Sequence, residues 1–120
     1  MCSIFAISEP AMTKVLIIDD DAAFRQAMRS LLQEQFPRIE VRETNNGREA
    51  LQQIEGFDLL FMDISLPEEN GLELTAKIKS EHVELFIAIL TIHDSPEYRQ
   101  AAFQHGADYF VSKGAPAEKS

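Results

Sequence analysis

The chain has one cysteine, Cys2, so no disulfide can form within it, and a reducing compartment such as the cytoplasm fits this usage best. It is short of positive charge. Eleven Lys and Arg stand against 20 Asp and Glu, giving a formal net charge of -9. The basic residues are scattered, which excludes charge-driven binding to a nucleic acid or an anionic membrane. No apolar run approaches the ~20 residues of a membrane-spanning helix. Residues 2–7 are apolar but short, follow no Lys or Arg, and lead to Glu9-Pro10, so they do not read as a signal peptide. There are no internal repeats, no low-complexity segments, and no cluster of cysteine and histidine that would suit zinc.

What the chain does have is 120 residues, 45% of them hydrophobic, enough for one domain with a sizeable core. Four apolar runs end on residues that phosphoryl-transfer chemistry can use. Val15-Leu16-Ile17-Ile18 ends on Asp19-Asp20-Asp21, Leu59-Leu60-Phe61-Met62 on Asp63, Ile87-Ala88-Ile89-Leu90 on Thr91, and Tyr109-Phe110-Val111-Ser112 on Lys113. Such continuous runs suit strands buried on both faces of a parallel sheet. Strands are expected over 14–18, 39–43, 57–62, 85–90 and 109–112.

Between them lie helical signals. Asp21 can cap a helix running to about Gln35, with Phe24, Ala27, Met28, Leu31 and Leu32 at helical spacing and Pro37 closing it. Thr44-Asn45-Asn46-Gly47 leads into a helix over 48–55 that Gly56 stops, and a third helix covers about 72–80 with Leu74 and Ile78 on one face. Ser95-Pro96 starts a fourth, which contains Tyr98, Ala101, Ala102 and Phe103 and ends at Gly106. His105 reads as a residue at that helix's C-terminus and His82 as a solvated loop residue. The segment from Gly114 to Ser120 has no apolar stripe, so no fifth helix is expected.

Alternating strands and helices with short connections predict an α/β fold, a doubly wound five-stranded parallel sheet. In such sheets ligands bind beyond the carboxyl ends of the strands, where the acids, the hydroxyl and the amine would meet. Carboxylates gathered there repel one another, by about 4 kcal/mol per pair at ~4 Å and an effective dielectric near 20. A positive partner is required, and hard oxygen ligands favour Mg²⁺.

Asp19-Asp20, Asp63 with Leu66-Pro67 and Gly71 downstream, Thr91 and Lys113, in that order and at these intervals, resemble the receiver domain of two-component response regulators. The likeness runs from about residue 13 to residue 113. The segment from Thr91 to Tyr98 is most similar to receivers that precede helix-turn-helix output domains. The resemblance implies the flavodoxin-like receiver fold, here lacking most or all of the fifth helix, with residues 1–12 as an N-terminal extension and 13–120 as a receiver truncated after the fifth strand.

The resemblance further implies that Asp63 is the phosphoacceptor, with Asp20, Asp63 and the backbone carbonyl of Ser65 binding Mg²⁺ directly and Asp19 through water. Lys113 would meet a phosphoryl oxygen and Thr91 would offer its hydroxyl. Thr91 and Phe110 would form the switch, while Ser65 and His93 would modify the rate at which water reaches the acyl phosphate. Gly114 stands where the family often has proline. Implied partners are a histidine kinase or phosphotransfer protein, an output domain or partner protein, and a second copy in a homodimer, with no nucleic acid or membrane bound by this chain itself. Two rivals stay open: a receiver-like scaffold independent of phosphorylation, and a Mg²⁺-dependent aspartyl phosphohydrolase. The second would use the Asp19 and Asp21 spacing, but no cap-sized insertion exists to select its substrate. Residues 4–7 are assigned to no element and would have the reach to cover the sheet face left by a missing fifth helix.

Overall fold

A computed structural model describes residues 13–66 and 70–113, with the backbone of 117–119. Strands β1 (Lys14–Ile18), β2 (Glu40–Thr44), β3 (Leu59–Asp63), β4 (Phe86–Thr91) and β5 (Tyr109–Ser112) are parallel, and β6 (Ala117–Lys119) runs antiparallel to β5. Their order across the sheet is β2-β1-β3-β4-β5-β6. The helices are α1 (Ala22–Gln35), α2 (Gly47–Gln53), α3 (Gly71–Glu81) and α4 (Pro96–Gln104).

After β1 the chain steps one way to β2, then returns past β1 to β3, β4 and β5. That reversal between β1 and β3 is a topological switch point, where the connections leave on opposite sides and open a crevice at the strands' carboxyl ends. Asp19 directly follows β1 and Asp63 ends β3, the two strands that border it.

Successive strand residues point to opposite faces, and the two faces are covered unequally. Leu16, Ile18, Leu60, Met62, Ile87, Ile89 and Phe110 pack with Ala50 of α2, Ile78 of α3 and Ala102 of α4. Val15, Ile17, Val41 and Leu59 pack on the other face, where α1 is the one helix among the described residues, against Met28, Leu32 and its C-cap Phe36. Because α1 has no neighbouring helix among the described residues, its expected apolar positions divide: Phe24, Met28 and Leu32 are half-buried, whereas Ala27 is exposed and Leu31 is 56% exposed.

Side-chain caps start all four helices. Asp21 accepts from the amides of Ala23 and Phe24, Asn46 from Glu49, Asn70 from Leu72 and Glu73, and Ser95 from Tyr98, each satisfying N–H groups that have no partner within the helix. Gly56 and Gly106 hold positive φ after α2 and α4, where a side chain would be strained. Elsewhere the observed bounds depart from expectation. α2 begins at Gly47 and ends at Gln53, and β3 begins at Leu59; the Phe57 N–H still donates back to the Ile54 carbonyl of the turn after α2. His82 is not a loop residue in solvent: it is the half-buried C-cap of α3, its backbone N–H donating to the Ile78 carbonyl.

Among the described residues no helix follows β5; the chain returns instead as β6 along the outer edge of β5. The expected extension over 1–12, the proposed cover by residues 4–7, Pro67 and Gly114 all lie outside the described residues.

Candidate functional site

The ends of β1, β3, β4 and β5 converge as the sequence pattern required. Asp19, Asp20 and Asp63 each bring a carboxylate oxygen within 4.8 Å of the others. Asp19 and Asp63 are buried and Asp20 is exposed, so the cluster opens to solvent on one side. Lys113 reaches in from the end of β5, its Nζ 2.7 Å from Asp19 Oδ2 and 3.6 Å from Asp63 Oδ2.

Backbone amides orient the acids. Asp19 Oδ1 accepts from the Asp21 N–H at 2.9 Å, and Asp63 Oδ1 accepts from the Ser65 N–H at 2.9 Å. Ser65 is therefore in the loop that holds Asp63, and it is exposed. Asp21 spends a carboxylate oxygen on capping α1, which takes it out of the cluster. The loop after β3 is held close to α3 as well. A Cβ on Gly71 would lie 2.9 Å from both the Cα and the carbonyl oxygen of Ile64, the residue after Asp63, so only glycine fits that approach.

Thr91 is fully buried at the end of β4, one residue beyond Leu90, the register partner of Asp63. Its Oγ1 accepts from the His93 N–H at 2.8 Å, leaving the hydroxyl proton available for donation elsewhere. Its carbonyl accepts from the Lys113 N–H at 2.8 Å, tying the ends of β4 and β5 together. The His93 ring faces outward against Tyr98, with centroids 5.4 Å apart. Phe110 is not in the pocket: it is 1% exposed in the core, edge-on to Phe103 at 6.4 Å and with the Arg99 guanidinium 5.9 Å from its ring.

The electrostatics follow from this placement. Burial raises the Asp63 pKa above its ordinary 3.8, and the charges of Asp19 and Asp20 add to the rise, while the Ser65 amide and the Lys113 ammonium oppose it. For Lys113, burial pulls the pKa down, yet its bond to Asp19 and the charges of Asp63, Asp19 and Asp21 together outweigh that and hold the amine above 10.5. Three carboxylates thus face one ammonium. At this spacing each pair of ionised acids costs about 3–4 kcal/mol at an effective dielectric near 20. The donor set is entirely oxygen, partly open to water and short of positive charge, which fits a hard divalent cation that keeps several waters.

Two side chains to which the sequence pattern assigned no part in the site also touch it. Phe24 lies beside the Lys113 ammonium, and Arg25 donates to the Asp19 carbonyl. Their one signal in the sequence is position: the first turn of a helix that starts directly after a strand-end acid pair stays beside that pair.

The profile of the response regulator receiver domain matches residues 15–119 of this chain. The chain belongs to that family. Among curated relatives, this receiver is 39% identical over 104 residues to a protein-glutamate methylesterase/protein-glutamine glutaminase of Geobacillus kaustophilus, covering 83% of the chain and 30% of that protein. It is 36% identical over 109 residues to the oxygen regulatory protein NreC of Staphylococcus aureus, covering 88% of the chain and 50% of that protein. The receiver therefore spans half or less of the length of these relatives. Among solved structures, a Burkholderia pseudomallei response regulator with a phosphorylated aspartic acid, a calcium ion and citrate aligns with a TM-score of 0.77 at 27% identity, over 87% of this chain and 61% of that one. Receivers of this family serve two-component signalling, working with histidine kinases and output domains rather than as metabolic enzymes. Among the described residues no helix is long and apolar enough to cross a membrane.

Proposed function

We propose that Asp63 of this receiver accepts a phosphoryl group from the phosphohistidine of a kinase or phosphotransfer protein, or from a small donor such as acetyl phosphate. The observation that carries the reading is the convergence of Asp63, Asp19 and Asp20 within 4.8 Å, with Lys113 Nζ 3.6 Å from Asp63. An Asp63 oxygen forms the new bond to phosphorus as the donor's bond to phosphorus breaks, and the donor leaves with that electron pair. Asp20, Asp63 and the Ser65 carbonyl would hold Mg²⁺, with Asp19 acting through water. Bound there, Mg²⁺ supplies charge neutralisation on the phosphoryl oxygens and holds acceptor and donor in line.

Lys113 brings a second positive charge to the same oxygens and Thr91 a hydroxyl donor. Engaging Thr91 would alter the packing beneath it and so the population of Phe110 conformers, changing the surface offered to an output domain or partner protein. Ser65 and His93, both exposed, would govern how water approaches the acyl phosphate. The cytoplasm, where kinases and Mg²⁺ are both available, is the compartment this role requires. The phosphorylated aspartic acid and metal ion named for the Burkholderia relative support the same chemistry here. Use of Asp21 as a helix cap counts against the phosphohydrolase alternative.

Intact mass after incubation with acetyl phosphate tests the reading. The wild type is expected to gain one phosphoryl group only when Mg²⁺ is present, Asp63→Asn to gain none, and Asp19→Asn to gain it slowly. Full labelling of Asp63→Asn would sink the assignment.

A further inference from the structure

The first turn of α1 carries two neighbouring side chains that touch the acid pocket at different points. The Lys113 ammonium lies 4.3 Å from the centroid of the Phe24 ring. A ring face attracts a cation without taking any of its hydrogen-bond donors, so the three N–H groups of Lys113 stay available for carboxylate or phosphoryl oxygens. Phe24 is half-buried, which limits the water competing for the same cation.

Arg25 touches the pocket at a different point. Its Nη1 donates to the carbonyl of Asp19, the oxygen of the peptide that joins Asp19 to Asp20. The guanidinium is in turn braced: Nε meets Glu43 Oε1 at 3.0 Å, and the second oxygen of Glu43 is held by Arg29 Nη1 at 2.7 Å. Arg29 also donates to the Val41 carbonyl at 2.7 Å, so the whole group is anchored on β2. The side chains of Arg25 and Glu43 are each only 16% exposed, a setting in which an ion pair keeps its geometry. Fixing the Asp19–Asp20 peptide fixes the point from which both of their side chains depart.

We propose that this turn is a positioning element of the phosphoryl-transfer site, with Phe24 steadying the Lys113 ammonium and Arg25, braced by Glu43, setting the Asp19–Asp20 pair. The inference rests on the function proposed above for Asp63. The two residues then separate by readout. Phe24 acts on a group that is no metal ligand, so its loss slows phosphoryl transfer without changing Mg²⁺ affinity. Arg25 acts on the acids, so its loss weakens Mg²⁺ binding directly.

The test combines calorimetric Mg²⁺ titration, the rate of mass gain from acetyl phosphate, and the proton resonance of the Lys113 ε-methylene, which the Phe24 ring current displaces. Phe24→Leu is expected to slow labelling about threefold to tenfold, to release the Lys113 resonance and to leave the Mg²⁺ Kd unchanged, while Phe24→Tyr retains the wild-type rate. Arg25→Gln is expected to raise the Mg²⁺ Kd about tenfold, and Glu43→Gln to raise it less, in the same direction. The proposal is overturned if Phe24→Leu leaves both rate and resonance at wild-type values, or if Arg25→Gln and Glu43→Gln bind Mg²⁺ as the wild type does. It is equally overturned if all variants shift rate, affinity and thermal midpoint together, the mark of a merely structural role. Should the wild type take up no phosphoryl group at all, the reading of Asp63 fails, and the Mg²⁺ affinities and the Lys113 resonance still decide the positioning roles.

Discussion

The two ends of the sheet both carry aspartates and lysine, yet they are built to opposite effect. At the amino ends of the strands Asp58 accepts from the Lys14 amide at 2.9 Å, and Asp108 Oδ2 accepts from the Ile87 amide and from Lys79 Nζ, each at 2.9 Å. Lys79 also donates to the Leu85 carbonyl, so acid, amine and backbone there satisfy one another. At the carboxyl ends three acids crowd within 4.8 Å and share Lys113. The same residue types close a fold where their charges are balanced and make a receptive site where they are not.

Removing the lysine side chain that pairs with an aspartate at each end should break the comparison. Lys113→Met leaves the fully buried Asp19 without its ammonium and is expected to cost about 3 kcal/mol in metal-free protein, a loss that Mg²⁺ recovers in part. Chemical denaturation with and without Mg²⁺ measures both quantities. Next in size is the wild-type response to metal: at a hundredfold excess over Kd, Mg²⁺ should stabilise the fold by about 2.7 kcal/mol through simple linkage, and Asp20→Asn should remove most of that gain. A thermal midpoint that stays flat through a millimolar Mg²⁺ titration would contradict a formed site.

At the balanced end, Lys79→Met loses one ion pair and one hydrogen bond and should cost about 1–2 kcal/mol, with no recovery on adding Mg²⁺. The smallest effect sharpens the contrast through pH. Because the folded pKa of Asp63 lies above 3.8, its protonated form favours the native state, and that contribution is lost as pH rises through the native value. Metal-free Asp63→Asn should therefore match the wild type in stability below pH 3.8 and become the more stable of the two towards neutrality. Denaturation midpoints collected across that range in the presence of a chelator would show the crossover, and a variant less stable at neutral pH would oppose it.

The parallel strands and the acid cluster were legible because both depend on short-range pattern: continuous apolar runs define buried strands, and parallel pairing forces their carboxyl ends to one edge. Helix starts were legible for a similar reason, since Asp21, Asn46, Asn70 and Ser95 cap within three residues of themselves. What the pattern hid was set by partners far away in the chain. Helical spacing marks Leu31 as apolar but cannot report that α1 has the sheet on one side and no neighbouring helix among the described residues. The bracing of Arg25 by Glu43 spans 18 residues, and the approach of Phe24 to Lys113 spans most of the domain. Strand β6 was invisible because Ala117-Glu118-Lys119 alternates nothing apolar; the free edge of β5 supplies its pairing.

The distribution of the pocket along the chain bears on the order in which it is synthesised. Asp19, Asp20 and Asp63 all emerge with the first three strands, whereas Lys113 follows fifty residues after Asp63. At about 5–20 residues per second, that separation is about 3–10 s of translation. Through that interval the nascent β1-β2-β3 layer carries its carboxylates without the ammonium that later joins them. Docking of β5 is then the step that relieves their repulsion, so electrostatic relief rewards completion of the parallel sheet.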